Sequence, residues 1–260
     1  MRILFLGDIV GRPGRRLAAG LVPELRREIG ADLVIANGEN IAGGKGITAD
    51  TAAEAFAAGI DCLTGGNHTW DKDEGTAAIE RDERILRPVN YPPGAPGRGW
   101  GLFTAGPDRV AVVSVVGRIF MPPMDCPFRA VDAVLQKVAG QASIVFVDFH
   151  AEATSEKIAL AYYLDGRVSA VIGTHTHVQT ADERILARGT ACMTDAGMTG
   201  AHDSVIGVRK ELALRRMLTQ LPVRFQPADG DPWLHGAWIE VDAGTGRATR
   251  IERVRRALPA

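Results

Sequence analysis

Residues 169–177 read SAVIGTHTH: an apolar run that stops at Gly173 and delivers two histidines, His175 and His177. A short continuous run of Ala, Val and Ile is the pattern of a strand covered on both faces. The same plan recurs along the chain. ILFLGD ends in Asp8, LVIANGEN in Glu39 and Asn40, CLTGGNH in Asn67 and His68, and IVFVDFH in His150. In open α/β sheets, ligands bind beyond the carboxyl ends of the strands, where loops converge over a rigid scaffold. Five strands therefore carry carboxylate, amide and imidazole groups toward one place.

The runs Arg2–Gly7, Asp32–Ala36, Asp61–Thr64, Val110–Val116, Ser143–Phe149 and Ser169–Gly173 read as strands. Shorter β-like runs follow at Thr190–Thr194, Trp233–Val241 and Ala248–Val254. Between them, helical patterns cover Gly14–Ile29, Ala49–Ala58, Glu74–Arg81, Phe128–Ala139, Ser155–Asp165 and Val208–Gln220. Pro23 is expected to kink or end a turn of the first helix, and Thr48 and Thr154 to act as N-caps. Tyr91–Gly101, rich in Pro and Gly, reads as a surface loop within one domain. The expectation is a single α/β domain over 1–260, with two sheets because the strand count is high.

Composition sets outer limits. The chain has 260 residues, 46% hydrophobic and 23% charged, with a formal net charge of −1. That is enough chain for a large core and argues against disorder. Near-neutrality argues against broad attraction to nucleic acid or an anionic membrane. No apolar run reaches the roughly 20 residues of a membrane span. MRILFLGDIVGRPG meets Asp8 too early for a secretory signal and reads as a buried first strand. Three separated cysteines, Cys62, Cys126 and Cys192, form no C-x-x-C pair, which fits a reducing cytoplasm and excludes a thiolate metal site.

Imidazole nitrogen with carboxylate and amide oxygen suits Mn, Fe, Co, Ni or Zn. Seven candidate ligands, Asp8, Glu39, Asn40, Asn67, His150, His175 and His177, exceed what one ion needs. A two-metal centre sharing a carboxylate is the natural reading, the type that clamps both oxygens of an in-line displacement at phosphorus. Each residue also has a plainer reading: Asp8 as a helix cap, Asn67 as a turn amide, His150 as a core histidine. His175 and His177 could be two strand-end imidazoles aligned by the period of 2.

The order Gly7-Asp8, Asn37-Gly38-Glu39-Asn40, Gly66-Asn67-His68, His150 and Gly173-Thr174-His175-Thr176-His177 resembles the calcineurin-like metallophosphoesterases. Two departures from the superfamily pattern, Val10 where a histidine is usual and Glu39-Asn40 at the bridging element, resemble its YmdB-like subgroup. So do NGENIAGGKGIT, TGGNHTWD, DFHAEATSEK and GTHTHVQTADERIL. The resemblance implies a two-sheet sandwich flanked by helices. It also implies a binuclear phosphodiesterase/phosphatase that hydrolyses 2′,3′-cyclic nucleotides with two divalent or mixed-valence ions, iron or manganese. Asp8, Glu39, Asn40 and His177 would hold one ion and Asn67, His150 and His175 the other, with Glu39 bridging; Asn40 could instead orient Glu39. A hydroxide between the ions would attack, and His68 would protonate the leaving oxygen.

A non-catalytic module that binds nucleotide or RNA through the same metals is the alternative, against which His68 speaks. Binuclear amidohydrolases place His-x-His after the first strand, and metallo-β-lactamase-like hydrolases need H-x-H-x-D-H; neither pattern is present. The expected partner is a small phosphodiester; RNA at the arginine-rich carboxyl end and a homo-oligomer stay open. Gly43, Gly44 and Gly46 around Lys45 do not make a P-loop. His202 and His235 match no ligand position and are expected to serve packing.

Overall fold

The computed structural model describes residues 1–258; the last two residues of the expected 1–260 span lie outside the described set. Fourteen strands form two sheets. In chain order, the first half contains β1 (Arg2–Leu6), β2 (Asp8–Ile9), α1 (Gly11–Ile29), β3 (Leu33–Asn37), α2 (Ala49–Ala57), β4 (Cys62–Thr64), α3 (Thr76–Arg81), β5 (Ile85–Leu86), β6 (Trp100–Ala105) and β7 (Asp108–Val116). There follow α4 (Pro127–Val138), β8 (Ile144–His150), α5 (Thr154–Leu164), β9 (Ala170–Thr174), β10 (Arg184–Ile185), β11 (Ala191–Met193), β12 (Met198–Ala201), α6 (Lys210–Thr219), β13 (Pro232–Val241) and β14 (Ala248–Ala257).

The first sheet runs β2-β12-β13-β1-β3-β4-β5, with β14 paired to β13; the second runs β10-β11-β9-β8-β7-β6. Strands β1, β3, β4 and β5 are mutually parallel, and so are β7, β8, β9 and β11. Between the sheets lies an apolar layer of Ile3, Phe5, Leu33, Ile35, Val112, Phe146, Ile172 and Ile239. Phe5 and Phe146 meet across it at 5.0 Å between ring centroids. Full burial of such a side chain contributes about 1.5–3 kcal/mol. Helices α1 and α2 cover the outer face of the first sheet, and α4 and α5 that of the second. This is the two-sheet sandwich flanked by helices that the sequence resemblance implies.

Every strand expected from an apolar run is present. Three local expectations are corrected. Pro23 lies inside α1 without ending it, because Pro23 and Ala19 are both exposed and water can take the carbonyl that loses its partner. The cap of α5 is Ala153, with no side-chain hydrogen bond, and Thr154 is the first helical residue. Thr48 does cap α2, in a reciprocal box with Thr51. His175 and His177 lie beyond β9 with φ of 99° and 65°, so a bent loop and not strand alternation presents them. Among the described residues, no helix is long and apolar enough to cross a membrane.

Candidate metal centre

The carboxyl ends of β1, β3 and β4 in one sheet and β8 and β9 in the other converge. Asp8, Glu39 and His150 are buried there to within 1% of completely. Gly66 brings the chain after β4 into contact with them. A Cβ on Gly66 would lie 2.2 Å from Glu39 Oε2 and 2.5 Å from His150 Nε2, so any side chain there would displace one or both.

His150 Nε2 is the hub: Asn67 Oδ1 is at 3.0 Å, Glu39 Oε1 at 3.1 Å and His175 Nδ1 at 2.9 Å. Glu39, His150 and His175 each offer a donor atom within 4.8 Å of the others, spacing that fits an ion. On the other side, His177 Nε2 lies 3.7 Å from Asp8 Oδ1 and 3.3 Å from the Asn40 amide nitrogen. Asp8 Oδ1 is buried without a hydrogen-bond partner. Asn40 Nδ2 donates to Glu39 Oε1 at 3.1 Å, the orientation of a group that steers Glu39; a half-turn of the amide would present its oxygen instead.

The outer nitrogens settle which way each histidine faces. Thr174 Oγ1 donates to Asp148 Oδ1 at 2.7 Å, so it accepts from His150 Nδ1 at 3.0 Å. His175 Nε2 pairs with Glu152 Oε2 at 3.1 Å, and His177 Nδ1 donates to the Ile206 carbonyl at 2.9 Å. Three imidazoles thus spend one nitrogen on an outside oxygen and turn the other inward, the usual support of a metal-ligating histidine.

Electrostatics agree with that donor set. Burial opposes charge on Asp8, yet His177 and His150 alongside hold it well below the usual carboxylate range. Glu39 is also lowered: burial opposes its charge, and His150 outweighs it. Burial works against protonated His177 too, but Asp8 pushes it up to about 9. His150 is raised against its burial by Glu39 and Asp8. His175, desolvated and beside His150, falls to about 4. The place favours positive charge, and hard oxygen with borderline nitrogen donors suits divalent transition ions.

Several residues that hold the site were not apparent from the sequence. Asp148 lies fully buried under His150 and joins the two sheets, accepting from Thr64 Oγ1 at 2.5 Å and Asn37 Nδ2 at 3.0 Å. Burial pushes it up to about 6. A charged residue inside the apolar run IVFVDFH was its signal. Thr176, between the two histidines, donates its backbone N–H at 3.1 Å and its hydroxyl at 2.8 Å to Asp195 Oδ2. Lys157 Nζ, also buried, reaches the same oxygen at 2.8 Å. This clasp holds the two left-handed histidines, and such strain persists only where neighbours over-determine it.

His68 stands apart at the rim. Its backbone N–H donates to Glu39 Oε2 at 2.8 Å, while its ring Nδ1 meets Asp71 Oδ2 at 2.9 Å. Lys45 Nζ is 3.3 Å from the same oxygen. The structure therefore brings the seven ligand candidates together, with Asn40 held by its amide nitrogen, and joins His68 to them through its backbone N–H alone.

The profile of the YmdB-like protein family matches residues 4–254. A 2′,3′-cyclic-nucleotide 2′-phosphodiesterase of Bacillus subtilis is 48% identical over 254 residues, 98% of this chain and 96% of its own. The crystal structure of a novel phosphatase from Mycoplasma pneumoniae superposes with a TM-score of 0.93 at 32% identity, covering 98% of this chain and 93% of that one. The NAD nucleotidase of Haemophilus influenzae shares the fold alone, with a TM-score of 0.63 at 13% identity over 99% of this chain and 56% of its own.

Proposed function

We propose, from the premise that this chain belongs to the YmdB-like family of calcineurin-like metallophosphoesterases, that it hydrolyses 2′,3′-cyclic nucleotides at a binuclear metal centre. Family and relatives make it a phosphoesterase; the cyclic nucleotide, the two ions and the residue roles are our reading. The observation that carries it is the set of three histidines with outer nitrogens committed and inner nitrogens turned toward Asp8, Glu39 and Asn67.

Asp8, Glu39, Asn40 and His177 would hold one ion, and Asn67, His150 and His175 the other, with Glu39 common to both. The Asn40 oxygen serves after the amide turn described above. These donors suit several divalent transition ions, and the family resemblance points to iron or manganese among them. Bound ions would supply Lewis acidity, lowering the pKa of the attacking water and offsetting charge on the phosphoryl oxygens.

The chain's own residues do the rest. The partly exposed His68 protonates the departing oxygen from its doubly protonated ring: Nδ1–H stays with Asp71, and Nε2–H is the proton given up, leaving the ring neutral. Before the transfer Asp71 stabilises the positive ring, and Lys45 keeps Asp71 in place. Asp148, through Thr174, fixes the tautomer of His150. The two sheets act as one catalytic domain, since Asp8, Glu39, Asn40 and Asn67 come from one and His150, His175 and His177 from the other.

The test is hydrolysis of 2′,3′-cyclic AMP and of bis(p-nitrophenyl) phosphate by metal-loaded protein, alongside metal content per chain. Two ions per chain and turnover abolished by a chelator are expected. Tight nucleotide binding with no turnover of either diester would instead make the chain a binding module.

A further inference from the structure

In a 2′,3′-cyclic nucleotide both ring ester oxygens belong to the ribose. Whichever of them His68 protonates, the nucleoside lies on the His68 side of the phosphorus. None of the residues at the metal centre offers a flat apolar surface to a base.

One ring near that rim is almost bare. Phe120, in the loop between β7 and α4, is 88% exposed, more than any other large apolar side chain among the described residues. Its φ is 59°, a left-handed conformation that a bulky residue keeps only where neighbours impose it. Two buried side chains do so. Glu156 accepts the backbone N–H groups of Arg118 and Ile119, each at 3.2 Å. Asn90 donates to the carbonyls of Val116 at 2.7 Å and Asp125 at 2.9 Å, tying the ends of the loop together.

Both ends of this loop stand on the site. At the outgoing end, Gly117 donates its N–H to the His150 carbonyl at 2.9 Å. A Cβ on Gly117 would meet Ala151 and Glu156 at 2.6 Å, so the chain runs close along the segment that carries His150 and Glu152. At the returning end, Asp125 donates to the carbonyl of Asn90, the neighbour of Tyr91. The Tyr91 ring meets Trp70, two residues beyond His68, edge-on at 4.7 Å. Burial, then Glu39 and Asp71, the two carboxylates that His68 contacts, push the Tyr91 hydroxyl up to about 12. The strands that lead to His68 and to Phe120 are themselves joined, Ser114 Oγ donating to the Gly65 carbonyl at 3.1 Å. The loop thus runs from His150 to Tyr91, with Phe120 three residues from Gly117, a reach of at most about 11 Å.

A ring held in solvent by a constrained backbone adds nothing to the core. Its free faces are what stacking on a flat π-system requires. We propose that Phe120 is the base-stacking residue of this phosphodiesterase: the nucleobase lies on its ring while the cyclic phosphate occupies the metal centre. This assignment rests on the cyclic-nucleotide reading of that centre. Every base has a π-face, so the contact selects nucleotides over other diesters without selecting one base. It is made alike before and during the reaction, and therefore shows in KM and not in kcat.

Equilibrium dialysis of the metal-loaded chain against adenosine 3′-monophosphate reads the stack without turnover. Phe120→Ala should weaken binding about tenfold, and Phe120→Trp should restore it. In kinetics, Phe120→Ala should raise KM for 2′,3′-cyclic AMP about tenfold, with kcat kept within about twofold. The preference for 2′,3′-cyclic AMP over glycerol 1,2-cyclic phosphate, the same ester ring without a base, should fall by the same factor. Tyr162→Ala, which removes another exposed ring, on α5, should change neither measurement. Nucleotide left unbound, or bound equally by wild type and Phe120→Ala, overturns the proposal. So does an oligomer that dissociates in Phe120→Ala with nucleotide affinity unchanged, seen by sedimentation, which would make the ring a contact between copies. Turnover of both diesters with no effect of Phe120→Ala removes the stack alone. Weakened nucleotide binding in Phe120→Ala, with neither diester turned over by wild type, removes the phosphodiesterase reading alone.

Discussion

Glu39 is touched by two histidines through its two oxygens, and the two live in different surroundings. His150 approaches Oε1 with its ring, fully buried, and is anchored through Thr174 to Asp148. His68 approaches Oε2 with its backbone alone and leaves its side chain 38% exposed, paired only with Asp71. Charge that must stay in place sits where water cannot screen it. A proton that must be delivered and replaced sits where water can restore it. In the proposed mechanism, depth in the cleft thus separates holding from turnover, although both histidines contact one carboxylate.

The largest expected effect lies in the buried half. Asp8→Asn should abolish phosphodiester turnover to background and lower bound metal, measured by elemental analysis beside rate. Full turnover in that variant would remove Asp8 from the centre. His68→Ala should lose about 10²–10⁴-fold in kcat while metal content and substrate binding stay near wild type. If metal is lost as well, the division between the two halves breaks down. Glu152→Ala, which frees the outer nitrogen of His175, should cost about 10–100-fold in metal affinity, read by chelator competition. Equal affinity would show that His175 is aimed by its strained backbone alone.

Smaller effects sharpen the contrast between site and scaffold. Lys157→Met leaves Asp195 buried and unpaired, and about 3–5 kcal/mol of stability should go, seen by urea unfolding. His235 has its folded-state pKa depressed to about 4 from an ordinary value of 6.5. A depressed value stabilises the fold above the unfolded pKa, and that contribution fades as pH drops from 6.5 toward 4. His235→Gln should therefore flatten the fall in melting temperature over that window. An unchanged slope would mean that other groups drive it.

Strand ends were legible because parallel strands covered on both faces leave long apolar runs, and the residues that close them stand out. ILFLGD and IVFVDFH gave up Asp8 and His150 in this way. The supports were not legible. Asp195 and Lys157 come together across 38 residues, and nothing in either neighbourhood marks a partner. The acceptor for His177 is a backbone carbonyl, Ile206, which no side-chain pattern reveals. Left-handed φ at His175 and His177 is equally invisible, because histidine is not glycine and the loop is held from outside. His202 and His235, read as packing residues, turned out to share a cavity wall with tilted rings 4.3 Å apart.

The hydrogen bonds to Thr174, Glu152 and Ile206 have a further consequence. All three aim the imidazoles with protein oxygens, so the socket is finished by folding and not by its cargo. On the proposed reading, an ion would then be taken up without refolding of the loop. With the socket formed in advance, the metal content of the purified protein should follow the ions supplied during expression, which elemental analysis after growth in different metals would check.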